Sequence, residues 1–403
     1  MVERRRPATP PEKLRKEKTP MRIGMLTPSS NTCLEPTTYR LLGNSSDVTV
    51  HFQRVPVTRI SLDGDSVRQF NEQTMVAAAR MLADATPDVI VWNGTSGSWL
   101  GIDHDRQLCQ QITDALGVPA TTSTLAMLEA CRAFGVNRLA LVTPYTVELN
   151  ARIREVYAAN GIEIVIDSAL GIEDNLAIAR VQPGEVAAEV VRVAGDAHAA
   201  AVLCTNLHGA EVVPELEAQL GIPVFDSVAV TLWHALVIAG HPHASEGQGA
   251  VFRDGFVLAD MQRSCEELLE GTGCDRATLR IDLPRHRLDI DRPAAEALRP
   301  GVRPIRRETS LRMRELETVK WLDEHRRNLL QPLFGPPPAP PEALVDKYGV
   351  HAQLLGPVEH NGTLVGFFSA HSREERPWTD DDLDVMNRVR ERTQALLSHL
   401  ATT

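Results

Sequence analysis

An internal duplication constrains this chain more than any other feature. Arg138-Leu139-Ala140-Leu141-Val142-Thr143-Pro144-Tyr145 repeats Arg22-Ile23-Gly24-Met25-Leu26-Thr27-Pro28-Ser29; each is an Arg-led apolar run ending in Thr-Pro. Leu203-Cys204-Thr205-Asn206 lies on Asn93-Gly94-Thr95-Ser96, so Gly94 falls where Cys204 stands. Gly221-Ile222-Pro223-Val224 answers Gly117-Val118-Pro119-Ala120. The offsets are 116 (Thr27 to Thr143), 110 (Gly94 to Cys204) and 104 (Gly117 to Gly221). One such match is chance; three in the same order specify a duplicated unit, residues 21–136 and 137–240.

Inside each unit, short apolar runs alternate with stretches of helical periodicity. In the first, strands are predicted at 22–26, 48–52 and 88–91, and helices at 34–42, 65–82, 107–116 and 124–134. Such alternation makes a parallel sheet with helices on both faces. In open sheets of this kind, ligands sit outside the carboxyl ends of the strands. The turns carrying Ser30 and Asn31, Gly94 to Ser98, Tyr145 and Cys204 to Asn206 then flank one cleft. Ser30 or Asn31 at a helix start either caps that helix or helps to bind an anion there.

From residue 250 the grammar changes. Helices are predicted at 260–269 and 310–330 and a strand at 276–283. Asn361-Gly362 joins strands at 351–357 and 363–371 as a hairpin, and Thr379 caps a last helix. This is an α+β domain with an antiparallel sheet, residues 250–403, after a linker at 241–249. His241 and His243 in that linker have no Cys or Asp partner at ligand spacing, so no metal is expected. Residues 1–20 are basic, contain proline and have few apolar residues, as expected of a disordered tail.

Net charge is −11, which argues against general nucleic-acid binding. There is no secretory h-region and no run of 18 apolar residues, so a cytoplasmic protein without a membrane partner is expected. The six cysteines are scattered, without a CxxC pair; neither zinc nor a disulfide framework is expected. Cys109, Cys131, Cys265 and Cys274 are assigned to packing.

Leu26-Thr27-Pro28-Ser29-Ser30-Asn31-Thr32, Gly94-Thr95-Ser96-Gly97-Ser98, Thr143-Pro144-Tyr145, Asp174-Asn175-Leu176 and Cys204-Thr205-Asn206 together resemble the aspartate/glutamate racemase superfamily. Within it the chain is similar to the maleate cis-trans isomerase and arylmalonate decarboxylase branch. The resemblance covers residues 21–240 and implies a site free of cofactor and metal, with one thiol from each half. It implies substrate contacts from Ser30, Asn31 and Asn175. Gly94 departs from the isomerases and racemases, which carry cysteine there, and matches the decarboxylases. Residues 250–403 resemble a GAF domain, through Val365-Gly366-Phe367-Phe368-Ser369-Ala370-His371, Trp378-Thr379 and the last helix; a GAF ligand of unspecified kind is thereby implied. A homo-oligomer is expected.

A single thiol suits decarboxylation of a malonate-type dicarboxylate. Loss of CO2 leaves an enediolate, which needs oxyanion donors and one proton. Thr95, Ser96 and Tyr145, with the backbone N–H groups of the Thr95 and Thr205 turns, are the expected donors; Cys204 is the expected acid. A helix start after Cys204 would lower its pKa, and an apolar wall would raise it. Cys33 is an imperfect substitute for the missing thiol. A cysteine placed at position 94 is expected to face Cys204 across the cleft. The alternatives are cis-trans isomerisation or racemisation of a small dicarboxylate, or a non-catalytic acid sensor reporting through the GAF domain.

Overall fold

Two parallel four-stranded sheets account for the duplicated region. The first comprises β1 (Met21–Pro28), β2 (Val48–Val55), β3 (Val89–Trp92) and β4 (Ala120–Thr122), in the order β2-β1-β3-β4. The second comprises β5 (Arg138–Thr143), β6 (Glu163–Ala169), β7 (Ala199–Val202) and β8 (Val224–Asp226), in the order β6-β5-β7-β8. The sequence repeat is therefore also a repeat of topology. β3 and β7 are buried along their whole length, as expected of strands covered on both faces. The chain leaves β1 to one side for β2 and then crosses to β3 on the other; β5 is flanked likewise. These reversals put the mouths of β1, β3, β5 and β7 where open sheets bind ligands. The computed structural model describes residues 20–43, 45–64, 68–242, 247–307, 311–335 and 337–401. Residues 1–19 of the basic tail and His243 of the linker lie outside them.

The halves are stitched on two sides. Segments after β2 and β6 pair, with Ile60 N donating to Glu173 O at 2.9 Å and Asn175 N to Thr58 O at 3.0 Å. Helix Ser227–Ile238 packs on helix Ser123–Ala133, and Thr231 Oγ1 donates to Ser123 Oγ at 2.9 Å. Helix Ser227–Ile238 is apolar nearly all round, which is why it can lie between two layers. No helix among the described residues is long and apolar enough to cross a membrane.

The C-terminal sheet is antiparallel: β9 (Arg276–Ile281), β10 (Pro293–Leu298), β11 (Leu329–Gln331), β12 (Ala352–His360) and β13 (Thr363–Ser372), in the order β10-β9-β13-β12-β11. Asn361 and Gly362 both take positive φ (51° and 74°) at the β12–β13 turn, the twist that Asn-Gly supplies. Helix Asp380–Leu400 starts at Thr379, whose hydroxyl accepts from Asp382 N while Asp382 accepts from Thr379 N.

Several helices differ from their predicted spans. The one expected at 107–116 begins at Ile102, and that expected at 65–82 corresponds to helix Glu72–Ala83, residues 65–67 lying outside the described ones. Two others differ more. The one expected at 260–269 runs over Ala250–Thr272, 23 residues. Val251, Phe252, Leu258 and Ala259 enter the core of the first 240 residues, and Met261, Cys265 and Leu268 enter the core under β9 and β13. Gly249 gives this helix no side-chain cap, so packing on two cores sets its length and no local start signal marks it. The helix expected at 310–330 is only Glu317–His325. Arg326 ends it with φ 53°, and Leu329–Gln331 then pairs with β12.

A clamp joins the two regions. Half-buried Arg306 donates to Ala133 O (2.6 Å) and Arg132 O (3.2 Å) at the end of helix Ser123–Ala133. Arg307 donates to Gly135 O at 3.1 Å. Cations are favoured at a helix C-terminus, where carbonyls lack partners. Arg306→Ala is expected to lower stability by about 2 kcal/mol, since bonds to a charged donor are lost and the carbonyls stay covered. Urea unfolding checks this; a variant within 0.5 kcal/mol of wild type, to use roughly the size of a neutral surface change, would make the clamp ornamental.

Candidate active site

The mouths of β1, β3, β5 and β7 meet at one buried cluster. Cys204, Thr95, Ser96, Tyr145, Asn31, Asn175, Thr205 and Asn206 are each at most 4% exposed. The first half sends Thr95 and the second Tyr145, whose hydroxyls lie 2.7 Å apart. Thr205 Oγ1 donates to Asn93 O (3.0 Å) and accepts from Asn31 Nδ2 (3.1 Å). Two strand-end turns from each half thus converge, as the repeat requires.

Asn31 and Ser30 do structural work here. Asn31 Oδ1 accepts from Cys33 N (3.0 Å) and Leu34 N (2.9 Å), so it caps helix Leu34–Leu42, while its Nδ2 holds Thr205. Ser30 Oγ donates to Val57 O (2.7 Å) and accepts from Asn175 Nδ2 (2.9 Å). Asn206 is the hub that sequence reasoning left out of the site. Its Oδ1 accepts from Thr32 N (3.0 Å) and Cys33 N (3.2 Å), and its Nδ2 donates to Asn175 O. The motif Cys204-Thr205-Asn206 contained that signal; only the fold shows that one amide can bridge three loops.

Burial is the largest influence on Cys204 and pushes its thiol up to about 11. Asn206 N–H, 3.4 Å from Sγ, and the Tyr145 hydroxyl both donate to the sulfur and pull the other way, while Asp226 adds to the rise. No helix begins behind Cys204 until Val213. The dipole that would have lowered its pKa is absent from that turn, so desolvation prevails. The thiol is therefore protonated at neutral pH. Tyr145 is likewise kept neutral, first by burial, and Trp99 packs edge-on against it at 5.2 Å between ring centroids.

Around that proton lie donors. Among the described residues, the backbone N–H groups of Thr95, Ser96 and Thr205 meet no protein acceptor. Buried donors left unmade are costly, so such a group marks a place for an anion. Ser96 Oγ accepts from Trp92 Nε1 at 3.3 Å, which leaves the serine proton free to point at a ligand.

Trp92 corrects the expectation for position 94. A Cβ built on Gly94 would lie 2.2 Å from Trp92 Cε2 and 2.4 Å from Cζ2 and Nε1. Trp92 is 1% exposed, and its rigid ring, rather than the tip of a flexible chain, is what would have to shift. A cysteine at 94 therefore meets the indole before it can face Cys204.

Cys33 does not replace the missing thiol. Its Sγ donates to Leu207 O at 3.3 Å and lies 3.6 Å from His208 Nδ1 and Thr37 Oγ1; burial pushes it up to about 12. Cys109 and Cys131 are likewise raised to about 12 by burial. Among the described residues no group of three His, Cys, Asp or Glu side chains is placed to hold a metal ion.

Comparison with known proteins fits this geometry. The arylmalonate decarboxylase profile matches residues 23–252, and the GAF domain profile matches residues 260–392. The arylmalonate decarboxylase of Bordetella bronchiseptica is 32% identical over 185 residues, 45% of this chain and 77% of that protein. A maleate isomerase of Pseudomonas putida is 28% identical over 250 residues, 57% of this chain and 96% of that protein. A solved double mutant of arylmalonate decarboxylase in its liganded form superimposes with TM-score 0.53 at 26% identity, covering 59% of this chain and 100% of that one. Nocardia farcinica maleate cis-trans isomerase bound to TRIS gives TM-score 0.54 at 24% identity, covering 59% and 99%, a likeness of fold. These relatives are enzymes, a lyase and isomerases. With a profile match over more than half its length, the chain belongs to the arylmalonate decarboxylase family, with a GAF domain following in the same polypeptide.

Proposed function

We propose that this protein is a cofactor-independent decarboxylase of a malonate-type dicarboxylate, with Cys204 as its proton donor. The observation that carries the reading is a buried thiol whose pKa is pushed up, with the repeat position Gly94 crowded by Trp92. One carboxylate leaves as CO2 and its bonding electrons pass to the α-carbon, giving an enediolate. Thr95, Ser96 and Tyr145 hydroxyls, with the N–H groups of Thr95, Ser96 and Thr205, would hold its oxygens. Cys204 gives its proton to the α-carbon, and the product is a monocarboxylate. The thiolate left behind is held by Asn206 N–H and the Tyr145 hydroxyl until it takes a proton from water. Ser30, Asn31, Asn175 and Asn206 act as positioning residues that lock the four turns together. Isomerisation or racemisation is less well supported, because each needs a thiol from the first half.

Proton NMR of the protein with phenylmalonate, methyl(phenyl)malonate, maleate and aspartate in deuterated buffer tests the assignment. Phenylacetate or 2-phenylpropionate carrying one α-deuterium is the expected product. Fumarate from maleate would replace the reading with isomerisation; binding without turnover would leave a sensor.

The pH profile follows from the thiol. The acid form acts, and it persists until pH approaches about 11. For phenylmalonate, kcat/KM is expected to be flat between about pH 7 and 9 and to fall tenfold per unit above the thiol pKa, since this ratio reports the free enzyme. A loss of activity already centred near pH 8 would mean a reactive thiolate and a nucleophilic role.

A further inference from the structure

We infer that the cavity in the C-terminal domain is a binding site for a monocarboxylate with an apolar body. Alternate residues of β9 and β13 face opposite ways. Ala277, Leu279, Phe368 and Ala370 pack under the long helices. The other face carries Arg276, Thr278, Arg280, Ser369 and His371, each at most 5% exposed. A sheet face of this polarity is usually left to water; here Ile305, Met313, Leu316, Val319 and Leu344, from the chain between β10 and β12, lie over it and leave a cavity partly open to solvent.

The charges at the floor do not cancel. Arg276 has a carboxylate, Glu296, at 3.4 Å. Among the described residues, Arg280 donates to the carbonyls of Asp291 (2.6 Å) and Ile290 (3.5 Å) and no carboxylate lies within ion-pair distance of it. Among the described residues, His371 Nδ1 and Thr278 Oγ1 are buried without a partner. His371 is held neutral by burial and by the two arginines, so among the described residues Arg280 is the charged side chain that lines the cavity. A buried charge of this kind calls for a counter-ion, and a guanidinium matches a carboxylate in shape. The remaining lining is apolar, including Ile305, Met313, Val319, Leu344, Leu355 and Phe367. One negative charge on a small apolar body satisfies both ends; a dianion would bring one charge too many. That is the chemical class of the product, not the substrate, of the proposed decarboxylation. This link rests on that reading, whereas the binding chemistry does not.

The full chain carrying Cys204→Ala, which removes turnover from the measurement, is titrated by calorimetry with phenylacetate, phenylacetamide and phenylmalonate. Phenylacetate is expected to bind at least tenfold more tightly than the amide, and Arg280→Gln to abolish that preference. Leu344→Trp, which fills the cavity from its cover and leaves the charged floor intact, is expected to weaken phenylacetate at least tenfold. Thr95→Val, in the other site, is expected to leave this binding unchanged. Equal affinity for acid and amide, no binding at millimolar concentration, or binding lost in Thr95→Val and kept in folded Leu344→Trp would each overturn the inference. If Arg280→Gln fails to fold by circular dichroism, Leu344→Trp and the acid–amide comparison still decide it. Binding that behaves as expected in a protein without decarboxylase activity would leave the cavity inference standing and remove only the proposed reaction.

Discussion

Cys204→Ala is expected to lower decarboxylation by about 10²–10⁴-fold, the range typical of a lost general acid, with KM little changed. The thiol is 3% exposed and its sulfur meets Asn206 N–H at 3.4 Å. It holds no cap and no strand pairing, so the fold cost is expected to stay near 1 kcal/mol, about that of one buried apolar group. Tyr145→Phe separates the two contributions nearby. It removes the single hydroxyl proton that serves the enediolate and then the thiolate, yet keeps the ring against Trp99. It should cost about 10–100-fold, less than the thiol itself, because the Thr95 hydroxyl and the backbone N–H groups remain. Circular dichroism and steady-state kinetics on phenylmalonate measure both. Unchanged kcat in folded Cys204→Ala would end the catalytic assignment of the thiol.

Gly94→Cys by itself is expected to destabilise the protein by about 3 kcal/mol or more, at the upper end of overpacking costs. Its Cβ would sit 2.2–2.4 Å from three indole atoms of a tryptophan that is 1% exposed. It is also expected to gain no racemase activity, because the displaced ring, rather than substrate, would meet the new sulfur. Trp92→Leu with Gly94→Cys removes the obstruction and lets the cysteine occupy part of the vacated volume. The double variant should recover at least about 1 kcal/mol relative to Gly94→Cys, since volume-conserving exchanges are tolerated best. It should then exchange the α-proton of 2-phenylpropionate with deuterium from both faces, which wild type should not do. Urea unfolding and NMR in deuterated buffer read the two effects. A stable, exchanging single Gly94→Cys variant would show that Trp92 moves freely.

Much of the fold was legible because it repeats. The turn after Leu26 and the turn after Val142 share Thr-Pro, and each ends a parallel strand with the same neighbours. Periodicity and Asn361-Gly362 likewise predicted β12 and β13 closely. The helix at 250–272 was underestimated because its first turns are specified by contacts with the preceding region. Local sequence says little about a helix that joins two cores. Arg326 ended another helix early through a positive φ that carries no mark in its residue type.

At the site, sequence alone determined which chemistry was available: one thiol after Leu203, glycine at its repeat position, and hydroxyl residues at the neighbouring turns. Those are matters of residue identity and order, and a strand-end position follows from local pattern. Only the tertiary structure decided the state and use of these groups. The protonation of Cys204 depends on how much water is removed around it and on which donors reach its sulfur from Tyr145 and Asn206. The work of Asn31 as cap and bridge depends on partners as far away as Thr205. The exclusion of a second thiol depends on where the Trp92 ring lies over Gly94. Solvation, long-range hydrogen bonding and excluded volume are properties of packed neighbours, and neighbours in space are what a linear sequence leaves unstated.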